Sequence, residues 1–451
     1  MSQSIKIRKG VDIRLSGIAS KELVNASQSD EYALKPSDFH GLIPKLLLKE
    51  GAEVKAGTPI FYDKLREQVL FSSPVSGVLS EIVRGDKRKI LEIRIRPSAS
   101  QQFEEYGPTD LTKCSREDLI SKMLKAGVWP LIQQRPFAIV ANPLDMPKAI
   151  FVSTFDSAPL APDSEFILKG KEADFQVGIE ALVKLAGNHP VQLGVKKGSN
   201  AFSQFKGVSA YSVDGPHPAG NVGVQIHHIK PINKGETIWY QNFQDVISLG
   251  RFIRSGHVDL RKVFALTGSE AKDRKYFELI SGSKVSSITK GKINRGDNRI
   301  ISGNVLTGTT VNEKGFLGFY DQQLTVIPEG HDPRFFLTKG WLGPGFDKFS
   351  VSRSFPTWLI GKKEYALDTN QNGEERAFVF SGQYEDVFPF EIYPVHLIKA
   401  IIVNDIEQME NLGIYEVAPE DFALCEYVCT SKIPVQKIVR EGLDAIMEEF
   451  K

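Results

Sequence analysis

The sequence predicts a multidomain chain of mixed α/β and β architecture, and three patterns predict it. Gly-marked turns separate short β-rich runs between residues 46 and 95. Strand-like runs alternate with helical stretches from about 115 to 255. From about residue 394 onward, apolar residues recur at helical spacing. Each period reflects which side chains a helix or a strand places on one face. A length of 451 residues leaves room for three or four domains.

The elements follow in chain order. Ile5–Gly10 and Val11–Leu15 alternate with period two, like short strands joined at a glycine. The module from Leu46 to Ile95 carries Glu50-Gly51, Val54-Lys55-Ala56-Gly57-Thr58-Pro59-Ile60 and Ser73-Pro74-Val75-Ser76-Gly77-Val78. Its glycines fall where a turn needs positive φ. This spacing resembles the barrel-sandwich hybrid of lipoyl and biotinyl carrier domains. In those carriers a lysine stands eight residues before the turn proline; here that position is Arg66, and Lys64 is displaced by two. Arginine is not a carrier residue, so the resemblance implies a rigid barrel without a prosthetic arm. The strand Lys89–Arg96 closes the module at Pro97.

A helix is predicted over Arg116–Ala126, stopped by Gly127. Phe137–Val140, Ala149–Val152, Val191–Val195 and Gly207–Val213 read as strands, with a helix over Glu172–Leu185. Strands alternating with helices predict an open α/β sheet. From His257 the pattern becomes β-dominated, with strand-like runs at Val258–Gly268, Lys284–Thr289, Arg299–Gly308 and Gly318–Ile327. Residues 331–360 show no period but many aromatic rings. Helices are expected over 394–410, 419–430, with Pro419 at the first helical position, and 435–449.

Composition excludes several function classes. Lys plus Arg number 56 against 55 for Asp plus Glu, so nucleic acid or an anionic membrane surface is not the indicated partner. No apolar run reaches the ~18 residues a transmembrane helix needs, and Lys6, Arg8 and Lys9 interrupt the place of a signal peptide's apolar region. A cytosolic location is expected. Cys114, Cys425 and Cys429 are too few for a disulfide framework or for the four ligands of a usual iron–sulfur cluster. Cys425 and Cys429, four apart on a helix, read as small buried apolar groups.

The chemistry-bearing motifs are sparse. A dinucleotide site needs a Gly-rich turn after the first strand. The turn after Phe137–Val140 is Ala141-Asn142-Pro143-Leu144-Asp145-Met146-Pro147, with two prolines and no glycine. His217 lies in a rigid Gly215-Pro-His-Pro-Ala-Gly220 loop. His227 and His228 are expected on a strand, facing opposite ways, so no metal site is predicted. There is no nucleophile elbow, zinc-protease motif or paired-carboxylate signature, and no catalytic residue is assigned.

Several segments together resemble one family: Ile5-Lys-Ile-Arg-Lys-Gly-Val-Asp-Ile13, Gly215-Pro-His-Pro-Ala-Gly-Asn-Val-Gly-Val-Gln-Ile-His-His228, Trp239-Tyr-Gln-Asn-Phe-Gln-Asp-Val-Ile247, Lys348–Phe355, Pro389–Pro394 and Glu420–Cys429. Over nearly its whole length the chain resembles the NqrA component of the sodium-translocating NADH:quinone reductase, a family also similar to the RnfC component of the Rnf complex and, more distantly, to the flavin-binding subunit of respiratory complex I. The resemblance implies a barrel-sandwich hybrid over 1–105 and a Rossmann-like domain over 113–256. It further implies a ubiquitin-like β-grasp domain of the soluble-ligand-binding kind over 257–330, an aromatic connecting segment over 331–375 and a helical domain over 376–451. It also implies a peripheral subunit, without cofactor or metal and inactive alone, on the cytoplasmic face of the bacterial inner membrane.

Its partners would be the other members of a six-subunit complex, chiefly the membrane subunit with a covalent flavin. FAD, FMN, riboflavin and iron–sulfur centres would reside in those partners, and quinone would be the substrate. A quinone touching this chain is expected in the crevice at the sheet's carboxyl edge, where Asn142 or His217 would hydrogen-bond a carbonyl and Phe137 or Trp239 would stack. Trp341, Phe346 and Phe349 are the expected docking residues, because large apolar rings in loops mark interfaces. The alternative is a structural assembly module with no ligand of its own.

Overall fold

The computed structural model describes residues 3–331 and 342–449. Two small antiparallel sheets form the first module. One orders Tyr32–Leu34, Ile90–Pro97, Gly77–Arg84 and Glu53–Val54; the other orders Pro44–Leu46, Pro59–Asp63 and Arg66–Ser72. Val54, Phe61, Val69, Phe71, Leu79, Ile93 and Ile95 are buried in its core. Gly51 and Gly57 take positive φ at the turns, as expected, whereas Gly77 does not: it opens the strand Gly77–Arg84, where the Arg96 carbonyl leaves no room for a Cβ. The hairpin that carries a lysine in carrier domains is tied down here. Arg66 Nε donates to Asp63 Oδ2 at 2.9 Å, and its Nη1 donates to the Val140 carbonyl at 2.7 Å.

The second sheet has seven strands, ordered Gln3–Lys6, Ser209–Asp214, Val191–Lys196, Ile150–Ser153, Ile238–Asn242, Gln133–Arg135 and Ile139–Val140. The first five are parallel to one another; Gln133–Arg135 is antiparallel to both of its neighbours. The strand expected over Phe137–Val140 is therefore corrected to a two-residue edge of a hairpin. Phe137 and Ala138 have positive φ and form its turn. Val11–Leu15 forms no strand; it makes one isolated bridge, Leu15 to Tyr365. The N-terminal strand instead crosses to Ser209–Asp214, a partner that local periodicity does not specify.

This sheet is the middle layer. On one face Ile150, Val152, Leu193 and Trp239 pack with helices Glu172–Ala186 and Phe243–Ser255. On the other face Phe151, Tyr211, Val213 and Tyr240 pack with helix Val222–Ile229 and the C-terminal helices. The latter include Pro394–Ile402, Ile406–Asn411, Ala423–Val428 and Val435–Glu449. Val435, Val439, Leu443 and Ile446 supply the buried stripe of the last helix. Cys425 and Cys429 are buried there, as expected.

His227 and His228 are corrected to helix Val222–Ile229. Their β-branched surroundings favour a strand locally, but burial between the sheet and the C-terminal helices prevails. His227 is a structural link: Nε2 accepts from Glu391 N at 3.0 Å, and Nδ1 pairs with Glu416 Oε2 at 2.7 Å.

A third, six-stranded sheet orders Thr309–Val311, Asn298–Ser302, Gln323–Pro328, Arg261–Thr267, Tyr276–Ile280 and Leu23–Asn25. The run at Lys284–Thr289, expected as a strand, contains a single helical turn, Ser286–Thr289. Its hydroxyls explain the difference: Ser287 Oγ donates to Lys284 O and Thr289 Oγ1 to Val285 O, which favours a turn over a ladder.

Candidate functional site

The parallel strands define where a ligand would meet the second sheet. From Ile150–Ser153 the chain crosses to Val191–Lys196 on one side, while Ile238–Asn242 lies on the other. The order reverses between these neighbours, and a crevice opens beyond their carboxyl ends. A cavity of about 480 Å³ occupies this place, closed by the third sheet and the C-terminal helices. Its lining includes Phe155, Asp156, His217, Tyr240, Gln241, Asn242, Tyr320, Glu420 and Arg440.

His217 is 3% exposed, and its ring is fixed by local hydrogen bonds. Ser157 Oγ accepts from Gly220 N at 2.8 Å and lies 3.0 Å from His217 Nδ1. The hydroxyl thus joins the loop backbone to the imidazole and fixes the ring's orientation. Burial pushes the His217 pKa down to about 4, so the ring is neutral at pH 7. The backbone N–H of His217 donates to Asp12 Oδ1 at 2.8 Å and sets the loop.

The opposite wall is charged. Arg135, fully buried, donates to Glu420 Oε1 at 2.7 Å and to Asp421 Oδ2 at 2.8 Å. Its guanidinium lies 5.8 Å from the centre of the Tyr240 ring. Burial pushes the Glu420 and Asp156 carboxyls up; Arg135 pulls the first part of the way back. Asp38 also lines the crevice, and burial, opposed mainly by Lys35, lifts it to about 6. Asp38, Asp156, Asp321 and Glu420 line the crevice against one arginine, Arg440, an acidic balance that disfavours a pyrophosphate. The turn after Ile150–Ser153 agrees with this. Thr154–Asp163 has no glycine, and the Asp163 side chain already caps the next helix by accepting from Phe166 N at 2.9 Å.

The structure brings one of the four quinone-site nominees into the crevice. His217 lines it. Asn142 does not: its Nδ2 donates to Asp145 Oδ1 at 2.7 Å and its Oδ1 accepts from Leu144 N. The far end of its loop returns to the amino end of the sheet, where Lys148 N donates to Thr237 O. Trp239 is fully buried behind the sheet against Trp129, with ring centres 5.4 Å apart. Phe137 sits beside the crevice, its carbonyl accepting from Arg440 Nη1 at 2.7 Å. Sequence reading missed Asp156, Tyr240, Gln241 and Glu420. One signal was available: an apolar strand, Ile238-Trp-Tyr, ends in two carboxamides immediately before a helix.

A second cavity, of about 850 Å³, abuts the first across the turn at 303–308, and Gln436 lines both. Ile301, Leu306, Ile327, Phe349 and Leu367 line it. Phe349 thus points inward, 5.8 Å from the Tyr365 ring, whereas Phe346 is 56% exposed. Trp341 lies outside the described residues.

Three family models match: the NqrA N-terminal barrel-sandwich hybrid domain over residues 5–98, the NqrA second alpha/beta domain over 114–258, and the NQRA C-terminal domain over 263–313. The chain is 34% identical to the NqrA component of the Na(+)-translocating NADH-quinone reductase of Rhodopirellula baltica, over 99% of both chains. It is also 34% identical to the corresponding components from Yersinia pestis and Actinobacillus pleuropneumoniae, over 99% of this chain and 100% of each relative. The chain belongs to the NqrA family of Na(+)-translocating NADH-quinone reductase subunits. The first module is accordingly a barrel-sandwich hybrid, and the family's members are subunits of an oxidoreductase complex. A solved NAD+-reducing [NiFe]-hydrogenase chain matches with a TM-score of 0.37 at 10% identity, covering 78% of this chain and 67% of that one.

Within this NqrA fold, no described helix is long and apolar enough to cross a membrane. Among the described residues no group of three or more His, Cys, Asp or Glu could hold a metal ion.

The crevice predicts a pH dependence of stability. His217 has a folded pKa of about 4, below the ordinary 6.5. Its contribution is present above about 6.5 and is lost as pH falls toward 4, a difference of about 3 kcal/mol. Asp38 acts oppositely. Its carboxyl is raised from 3.8 to about 6, so it destabilises the fold above that pH and is relieved on acidification. Thermal melts between pH 7 and 4 should therefore show a shallower acid loss for His217→Gln and a steeper one for Asp38→Asn.

Proposed function

We propose that this chain is the extramembrane, cofactor-free subunit of a sodium-translocating NADH:quinone reductase, and that its carboxyl-edge crevice holds the quinone head. The observation that carries this reading is a crevice at the strand-order reversal whose walls suit an uncharged, carbonyl-bearing ring. A neutral His217 lines one wall, Tyr240, Tyr320 and Phe155 provide ring faces, and the acidic balance of the walls disfavours phosphates. In this reading the tail runs toward the adjoining cavity along its apolar lining of Ile301, Leu306, Ile327, Phe349 and Leu367, the same cavity also being lined by the polar Asp368, Asn370 and Glu426.

In this reading the seven-stranded sheet is Rossmann-like and the six-stranded sheet is a β-grasp unit. The domain limits are then taken as 105, 256, 330 and 375, with Gln3–Lys6 paired to the seven-stranded sheet and Leu23–Asn25 to the six-stranded one. The flavins and iron centres belong to the partner subunits. The chain docks at the cytoplasmic face on the membrane subunit that bears a covalent flavin. Exposed Phe346, Trp358, Leu359 and Ile360 support docking through this loop, and they are equally what a purely structural module would offer. Calorimetric titration of the chain with a short-tail ubiquinone separates the two. Saturable binding is expected, and no heat at any concentration would leave only the structural role.

A further inference from the structure

The buried glutamines of this chain follow a rule with one exception. Gln134 accepts from Asn142 N, Gln225 donates to Ser153 Oγ, Gln244 donates to Val263 O, and Gln323 donates to Thr325 Oγ1. Gln241 is 2% exposed, and among the described residues neither its Nε2 nor its Oε1 has a hydrogen-bond partner. Buried side-chain amides are seldom left with both atoms unpaired, because the lost hydration is not recovered. Gln241 occupies the carboxyl end of the interior strand Ile238–Asn242, and it lines the crevice at the reversal point.

We propose that the Gln241 carboxamide is the polar anchor of this crevice for the ligand's ring oxygen. The proposal rests on the quinone reading above and adds a residue and a selectivity to it. A carboxamide presents a donor and an acceptor on one planar group. Its Nε2 donates to the carbonyl of the oxidised ring, and its Oε1 accepts from the hydroxyl of the reduced ring. The same side chain therefore holds both redox states, with no proton supplied by the glutamine. An acceptor-only carboxylate at this position would favour the reduced ring alone. The cost of the unpaired amide falls on the unliganded protein, a strain that functional sites tolerate.

Gln241→Met keeps the length of the side chain and removes both polar atoms. The full chain and this variant are titrated with a short-tail ubiquinone and with its quinol, and both are melted without ligand. The proposal predicts about tenfold or greater weakening for both ligands together with a higher unliganded melting temperature. Equal affinities in the two proteins overturn the anchor while leaving the quinone reading intact. A wild-type chain that binds neither form overturns both. Should Gln241→Met melt lower or fail to fold, Gln241→Leu is made. If that variant is destabilised too, the amide is structural and the proposal fails.

Discussion

Arg135→Ala is expected to cost about 3–5 kcal/mol, because it strips the countercharge from two carboxylates at once. Arg135 is fully buried on strand Gln133–Arg135 and bonds to Asp421, also buried, and to Glu420 on the short turn Pro419–Phe422. These bonds fasten the C-terminal helices to the middle sheet. Burial alone would lower the Arg135 pKa; Asp421 first and then Glu420 outweigh it and hold it raised. Arg135→Lys should recover only part of the loss, since an ammonium cannot reproduce a fork that meets two separate carboxylates. Hydrogen exchange provides the check. Protection should fall over residues 418–449 while the barrel around Ile93 and Ile95 stays protected, and uniform loss across the chain would contradict the assignment.

Lys262→Met is expected to be comparably severe. Lys262 and Asp245 are both 1% exposed, with Nζ and Oδ1 2.6 Å apart, and Lys262 also donates to Phe319 O at 2.8 Å. The pair joins helix Phe243–Ser255 to strand Arg261–Thr267, so it sets the third sheet against the second. Burial pushes the Asp245 carboxyl up even with the lysine present. Without it, about 3–5 kcal/mol should be lost at neutral pH, and less in acid where Asp245 takes up a proton. Adding Asp245→Leu should return much of the loss, because two apolar groups replace a buried pair more cheaply than one orphaned charge remains. Denaturant melts of the two singles and the double measure this coupling directly.

Much of the fold was legible where local rules decide it. The helix at Arg116–Lys125 carries its own start and stop. Ser115 Oγ accepts from Asp118 N at 3.0 Å, Ser115 N donates to Asp118 Oδ2, and Gly127 follows with positive φ. The last helix shows its stripe in sequence, and the barrel shows its turn glycines. The motifs that linked the chain to its family were legible for the same reason: they are contiguous.

What stayed hidden depends on distant pairing. Nothing in Val11–Leu15 says that Gln3–Lys6 has already taken the edge of the sheet. Nothing in Asn221–His228 says that two layers will enclose it as a helix. The same limit applied to the site. Asn142 and Trp239 have suitable chemistry, but one is held by its own turn and the other lies behind the sheet. Glu420 reaches the crevice from almost three hundred residues beyond Arg135.

The central claim is that the carboxyl-edge crevice holds a quinone, and photolabelling with an azide-bearing short-tail ubiquinone followed by peptide mapping tests it most directly. The account predicts adducts on peptides spanning 153–162, 217–222 and 240–243, suppressed by excess unlabelled quinone and reduced in Gln241→Met. Adducts confined to the exposed 342–363 loop or the barrel, or labelling that excess quinone does not suppress, would contradict it.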